Sequence, residues 1–135
     1  MARYLRLPAW LAIWVIALHV SAAAAATVTA ARLWPSPDYT RITLESDAPV
    51  TFKFFSLANP DRLVVDLEGI EPNAALSALT TSIGAADPYI AGARAALNRP
   101  GVTRLVLNMK TPVRPSIFTL QPLGQYGHRL VIDLY

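Results

Sequence analysis

Arginine and aspartate recur in this chain at a fixed interval. Arg62 and Asp66 stand in RLVVDL (62–67), and Arg129 and Asp133 stand in RLVIDL (129–134). Two further arginines, Arg41 and Arg104, each follow a threonine and open an alternating apolar run. A guanidinium is a planar fork of donors that matches a carboxylate bidentately, while a carboxylate accepts from hydroxyl and amide groups. Arg41, Arg62, Asp66, Arg104, Arg129 and Asp133 are therefore the candidate ligand-binding residues. Bond-breaking chemistry has no comparable set. Past the leader the chain holds one histidine, His128, and three glutamates, Glu45, Glu68 and Glu71, and it has no cysteine. None of these has the spacing of a zinc site, and a Ser-His-Asp set would need contacts that the pattern does not give. The expectation is a non-enzyme without metal or cofactor.

The elements that must position these residues follow from a duplication. Thr40-Arg41 matches Thr103-Arg104, Pro49-Val50 matches Pro112-Val113, and Phe55 and Leu57 match Phe118 and Leu120, all at an offset of 63. Arg62 matches Arg129 at an offset of 67, so the last loop of the second half is four residues longer. Each half reads as four strands: 28–33, 40–46, 50–57 and 62–67, then 90–97, 102–109, 113–120 and 129–134. Pro, Gly, Asn and Asp fill the separators. Short turns imply antiparallel meanders, and two four-stranded sheets with one apolar face each should pack as an all-β sandwich. Between the halves, Leu76, Leu79 and Ile83 fit one short connecting helix, with Asn73 as N-cap and Gly84 as stop.

Alternation across a strand sets the faces. Leu63, Val65 and Leu67 point to the core, which leaves Arg62, Val64 and Asp66 outward; Leu130, Ile132 and Leu134 likewise oppose Arg129, Val131 and Asp133. Arginine and aspartate on one strand then lie roughly 13 Å apart and cannot pair with each other. Two readings of the outer faces stand side by side. One is a ladder of cross-strand ion pairs that solubilises the sheet. The other is a ligand platform, and a ladder can hold a binding arginine in place.

Bulk properties narrow the class. Residues 1–26 combine Arg3 and Arg6, an apolar run from Leu7 to Val20 and an alanine-rich exit, the pattern of a secretory signal peptide. A membrane anchor is the alternative, but the run is shorter than the ~20 residues a spanning helix needs. Without Arg3 and Arg6 the formal charge falls from +3 to +1, which does not suit a nucleic-acid partner. No membrane partner is expected after cleavage. The remaining 27–135 make one domain, with repeat halves at about 27–69 and 90–135 and a connector at 70–89.

DPYIAGARAALNRPGVTRLVLNMKTPV (87–113) and YGHRLVIDLY (126–135) resemble the AMIN domain found in front of the catalytic part of periplasmic N-acetylmuramoyl-L-alanine amidases of the C-type, cell-division class, and in secretins. The resemblance covers nearly all of 27–135. It implies two symmetric four-stranded sheets, a periplasmic location, peptidoglycan as partner and recruitment to the division septum. It also places the family's motifs on outer faces, which by position are the six residues named above. Ala91-Gly92-Ala93 and Ala95-Ala96 depart from the bulkier or polar residues expected around Arg94. Trp34, Tyr39, Tyr89 and Tyr126 are read either as plates for sugar rings or as packing beside turns. The chain is then a wall-binding module: an amidase fragment, a truncated gene product or a free-standing domain. The alternative is a protein–protein docking domain of a secretin or envelope complex, with division or envelope proteins as partners.

Overall fold

A computed structural model describes residues 25–135. The expected signal peptide falls on residues that lie, up to residue 24, outside those described. Among the described residues no helix is long and apolar enough to cross a membrane. Ala26 is buried, bridges to Ile70 and donates its N–H to the Gly69 carbonyl at 2.9 Å.

Eight strands and one helix follow in the expected order. They are β1 (Val28–Pro35), β2 (Thr40–Ser46), β3 (Thr51–Leu57), β4 (Arg62–Glu68), α1 (Ala74–Ser82), β5 (Ile90–Arg99), β6 (Val102–Met109), β7 (Pro115–Leu120) and β8 (His128–Leu134). Strict alternation is clearest in β2, where Ile42 and Leu44 are fully buried while Arg41, Thr43 and Glu45 are half-buried on the opposite face.

The strands form two four-stranded antiparallel sheets, in the orders β1-β2-β8-β7 and β3-β4-β6-β5. Neither half is a meander. Each half gives one hairpin to one sheet and its second hairpin to the other, and the central pairs β2·β8 and β4·β6 both join the two halves. The reason lies in the links 47–50 and 110–114. Pro49 and Pro112 hold the same repeat position and have no N–H to continue a ladder. After Pro49 the chain drops into the gap between the sheets, where Val50 is buried, and Val113 packs partly buried against the same core. By contrast, β5 and β6 are joined tightly through Pro100-Gly101. Gly101 has φ +77°, a left-handed conformation that a side chain would strain.

The core is the aliphatic filling between the sheets. Ile42, Leu44, Leu67, Leu105, Leu107, Leu130, Ile132 and Leu134 are wholly inaccessible. Each such side chain stabilises the fold by about 1.5–3 kcal/mol relative to exposure. With no disulfide available, this burial carries the domain.

Helix α1 closes one side, packing on β1 and β5, the edge strands of the two sheets. Leu76 and Leu79 are buried, and Ile83 packs partly buried against the core. Asn73 is the N-cap: its Oδ1 accepts from the Leu76 N–H at 3.2 Å, and its Nδ2 donates to the Val28 carbonyl at 2.9 Å, which ties the helix start to β1. The C-cap is Ile83, so the helix stops one residue before Gly84. The mapping of β1 onto β5 carries the two sheets into each other, so the helix lies at one end of a pseudo-twofold axis. At the other end, no element covers β3 and β7 among the described residues.

Candidate functional site

The register places the repeated ions in pairs. Arg41 on β2 faces Asp133 on β8, and Asp66 on β4 faces Arg104 on β6. Arg41 Nε and Nη2 donate to the two carboxylate oxygens of Asp133, both at 2.8 Å. Arg104 Nε and Nη2 do the same to Asp66, at 2.8 and 3.0 Å. Offsets of 63 for the arginines and 67 for the aspartates make these one arrangement seen twice. Each pair takes its arginine from one half and its aspartate from the other.

Arginine and aspartate play unequal parts. The Asp133 side chain is 2% exposed and that of Arg41 is 41% exposed; for Asp66 and Arg104 the values are 14% and 36%. The carboxylates are covered and turned to the guanidiniums, which present a free edge to water. Among the described residues, Nη1 of either arginine has no hydrogen-bond partner. Arg104 holds the Asp66 carboxyl below the usual carboxylate range, chiefly through the bidentate hydrogen bond. The two arginines are in turn pushed above their ordinary value by their aspartates and stay charged at every working pH. Rings lie under both, with Tyr39 5.7 Å from the Arg41 guanidinium carbon and Phe55 5.6 Å from that of Arg104.

The second pair of candidates has less symmetric surroundings. Arg62 on β4 faces Asn108 on β6 and donates from Nε to the Pro60 carbonyl at 3.2 Å. Arg129 on β8 faces Glu45 on β2, donates from Nη2 to the Gln121 carbonyl at 3.1 Å, and lies 5.3 Å over the Tyr126 ring. Its Nε is buried with no partner among the described residues. The longer β7–β8 loop makes this difference, because it carries Tyr126 back over the sheet. Glu45 accepts from the Gly127 N–H at 2.7 Å and from Arg32 Nη1 at 3.2 Å. Its carboxyl is lowered below the ordinary value mainly by the Gly127 N–H, with further help from Arg32 and Arg129.

Between the ions each outer face carries apolar side chains that are covered despite pointing away from the core. Val64, Val106 and Val131 are almost fully buried there. Val64 and Val106 face each other between Phe55 and Arg94, and Val131 lies between Thr43 and Phe118. Arginine stems can supply such cover while their heads stay in water.

Shallow concavities follow. One, of about 280 Å³, is lined by Arg32, Leu33, Trp34, Tyr39, Arg41 and Thr43. Its counterpart on the opposite face, of about 180 Å³, is lined by Arg94, Ala96, Leu97, Asn98, Arg104 and Val106. A third, of about 190 Å³, lies at the sandwich end beside Arg62, Leu57, Met109 and Pro112. The six candidates are thus not one cluster. They divide between opposite faces, with Arg41, Arg129 and Asp133 on one and Arg62, Asp66 and Arg104 on the other. Arg32 was absent from the sequence-derived set, although it alternates with the inward Ala31 and Leu33 on β1 and that period would have found it. Among the described residues, no three His, Cys, Asp or Glu side chains stand close enough together to hold one metal ion.

Comparison with known proteins adds an independent line. The family model described as the AMIN domain matches residues 30–134. The chain is 47% identical over 107 residues to "N-acetylmuramoyl-L-alanine amidase AmiC" of Neisseria meningitidis serogroup B, covering 79% of this chain and 26% of that protein. It is 41% identical over 125 residues to the protein of the same name from Escherichia coli O6:H1, covering 92% of this chain and 30% of that protein. The chain therefore spans under a third of the length of the curated relatives it matches.

Proposed function

The chain belongs to the AMIN domain family, and from that premise we propose that it is the peptidoglycan-binding, septum-targeting module of an exported, periplasmic N-acetylmuramoyl-L-alanine amidase. Its part is attachment, and hydrolysis of the wall belongs to other residues of such a protein. The relatives' names give the bond those proteins act on, an amide between N-acetylmuramoyl and L-alanine. A polymer with that bond offers peptide carboxylates for guanidinium forks and N-acetylated sugars for hydrogen bonding.

One observation carries the reading: the same arginine–aspartate unit is built on both outer faces, with the aspartate covered and the arginine open. A ladder that served only solubility would have no reason to sequester one partner and leave the other's Nη1 edge free. The aspartates, each more covered than its partner, therefore act as positioning residues, and Arg41, Arg62, Arg104 and Arg129 are the groups that meet the ligand. Weak sites on two faces of one domain gain by avidity on a repeating polymer.

Co-sedimentation with purified sacculi tests this. The chain should pellet above a control protein, and Arg62→Ala with Arg129→Ala should weaken pelleting while circular dichroism stays unchanged. Absence of pelleting would sink the wall reading. A partner captured equally well from wall-free extracts would favour docking to an envelope protein instead.

A further inference from the structure

The duplication carries Arg41 onto Arg104, but it does not carry its aromatic surroundings. In the register Trp34 corresponds to Ala96, each opposite the repeat arginine of its own sheet, while Tyr39 corresponds to Val102 and Tyr135 to Glu68. Three aromatic side chains thus gather at the Arg41 end of one sheet, and none stands at the equivalent positions of the other. The faces have diverged while their ion pairs have not.

Trp34 is the most telling of these. It lies on the edge strand β1, opposite Arg41 in the register, and is 70% exposed. An indole contributes most when buried, so one left in water beside a concavity is a free plate. The opposite wall is Tyr39, which is held from two sides: its ring centroid is 5.4 Å from that of Tyr135, and the Arg41 guanidinium lies over it. The loop between the two walls is fixed as well, because the Tyr89 hydroxyl donates to the Pro37 carbonyl at 2.8 Å. Preorganised walls lose little freedom when a ligand arrives.

Charge selects the ligand class. Both arginines lining this concavity are already ion-paired, Arg41 with Asp133 and Arg32 with Glu45. Their remaining N–H groups can donate, but the local charge is balanced, so an anion gains little from the field. The counterpart concavity differs: Arg94 makes no ion pair among the described residues, which leaves an excess positive charge beside the Arg104–Asp66 pair. A neutral ligand with an apolar ring face and a rim of hydroxyl and carbonyl acceptors fits the first site and has no plate at the second.

We propose that the concavity between Trp34 and Tyr39 is a saccharide subsite for the neutral glycan of the wall polymer, with a pyranose ring lying on the Trp34 indole. Ring C–H groups meet the electron-rich indole face, and Arg32, Arg41 and the Thr43 hydroxyl serve the sugar's hydroxyl and acetamido oxygens. This rests on the wall-binding reading above and assigns the sugar to one face.

The probe is a neutral hexamer of β-1,4-linked N-acetylglucosamine, which carries no peptide carboxylate. In a proton–nitrogen correlation spectrum of the whole chain, the indole peak lost in Trp34→Phe belongs to Trp34. That peak should shift saturably with the hexamer. Trp34→Ala should weaken hexamer binding about tenfold, the scale expected for one stacked anchor, and Leu97→Ala on the other face should not. An unmoved indole peak in the unmodified chain overturns the subsite whatever the variants do, and so does unchanged hexamer affinity in Trp34→Ala. Sacculi separate the two claims. Pelleting of the chain with a silent indole overturns the subsite alone, whereas failure to pellet overturns the wall reading beneath it.

Discussion

Arg41 and Asp133 are 92 residues apart in the chain and directly opposite in register, joined by two hydrogen bonds of 2.8 Å. The aspartate is covered and the arginine is half open, so the two deletions differ. Arg41→Ala leaves a carboxylate in a closed place; Asp133→Asn leaves a guanidinium that water can reach. Urea denaturation should show Arg41→Ala to be the more destabilising change. A double-mutant cycle should give a coupling of about 1–2 kcal/mol, the low end for charged hydrogen bonds because the guanidinium is partly solvated. The same cycle on Arg104 and Asp66, where the carboxylate is more open, should give less. Equal or reversed couplings would contradict the deeper burial of Asp133.

Acid should weaken the fold through carboxylates held below their ordinary values, Asp66 by Arg104 and Glu45 by the Gly127 N–H. A lowered folded pKa means that the unfolded chain takes up protons first as the pH drops. The stabilisation is therefore complete above the unfolded carboxylate range near pH 4 and is lost as the pH falls through the lower folded values. The thermal midpoint should be level from about pH 5 to 8 with respect to these groups and decline below about pH 4. Asp66→Asn should flatten part of that decline, and an acid slope identical to that of the unmodified chain would refute the assignment.

Gly127 is where the long β7–β8 loop comes back to β2. A Cβ there would stand 2.9 Å from the Ser46 carbonyl oxygen, a backbone atom with no freedom to swing away. Gly127→Ala should cost about 1–3 kcal/mol, as overpacking does. It should also loosen the N–H bond to Glu45 and raise that carboxyl toward its usual value, which a titration by carbon-detected resonance would follow.

Because both central strand pairs join the halves, neither half holds a complete sheet. Residues 25–84 and 85–135, produced separately, should each lack a cooperative melt at low micromolar concentration. Mixed in equal amounts they should regain the strand signal in circular dichroism. A cooperative melt by either piece that sedimentation shows to be a monomer would contradict the strand orders β1-β2-β8-β7 and β3-β4-β6-β5.

The elements and faces were legible because this fold writes them in a period of two. β2 and β6 begin and end where alternation and turn residues place them, and the outward arginines follow from the inward leucines. Pairing was not legible. Nothing in RLVVDL says whether its neighbour is the strand before it or one in the other half, since both alternate alike; Pro49 and Pro112 were visible, but their effect on sheet membership was not. The ion pairs illustrate the consequence. Arginine and aspartate within one hexad were correctly read as too far apart to meet, yet the partner of each depended on a register that only the folded chain supplies. The difference between the faces was hidden for another reason: the repeat shows what was kept, while Trp34 in the place that Ala96 holds in the other half, and the longer second loop, are departures from it.

The axis that exchanges the sheets has one further consequence. A lone half could fill its four missing places only by borrowing the same hairpins from a twin, with Arg41 of one copy answering Asp66 of the other. The present fold is thus the geometry of an isologous dimer written as a single polypeptide, with the α1 segment as the tether. Since that segment occupies the dyad itself, there is room for just one, and it is the place where exact symmetry had to end. Once tethered, the twins no longer had to stay identical: one surface gathers Trp34, Tyr39 and Tyr135 about its repeat arginine, and the other sets Arg94 beside its own.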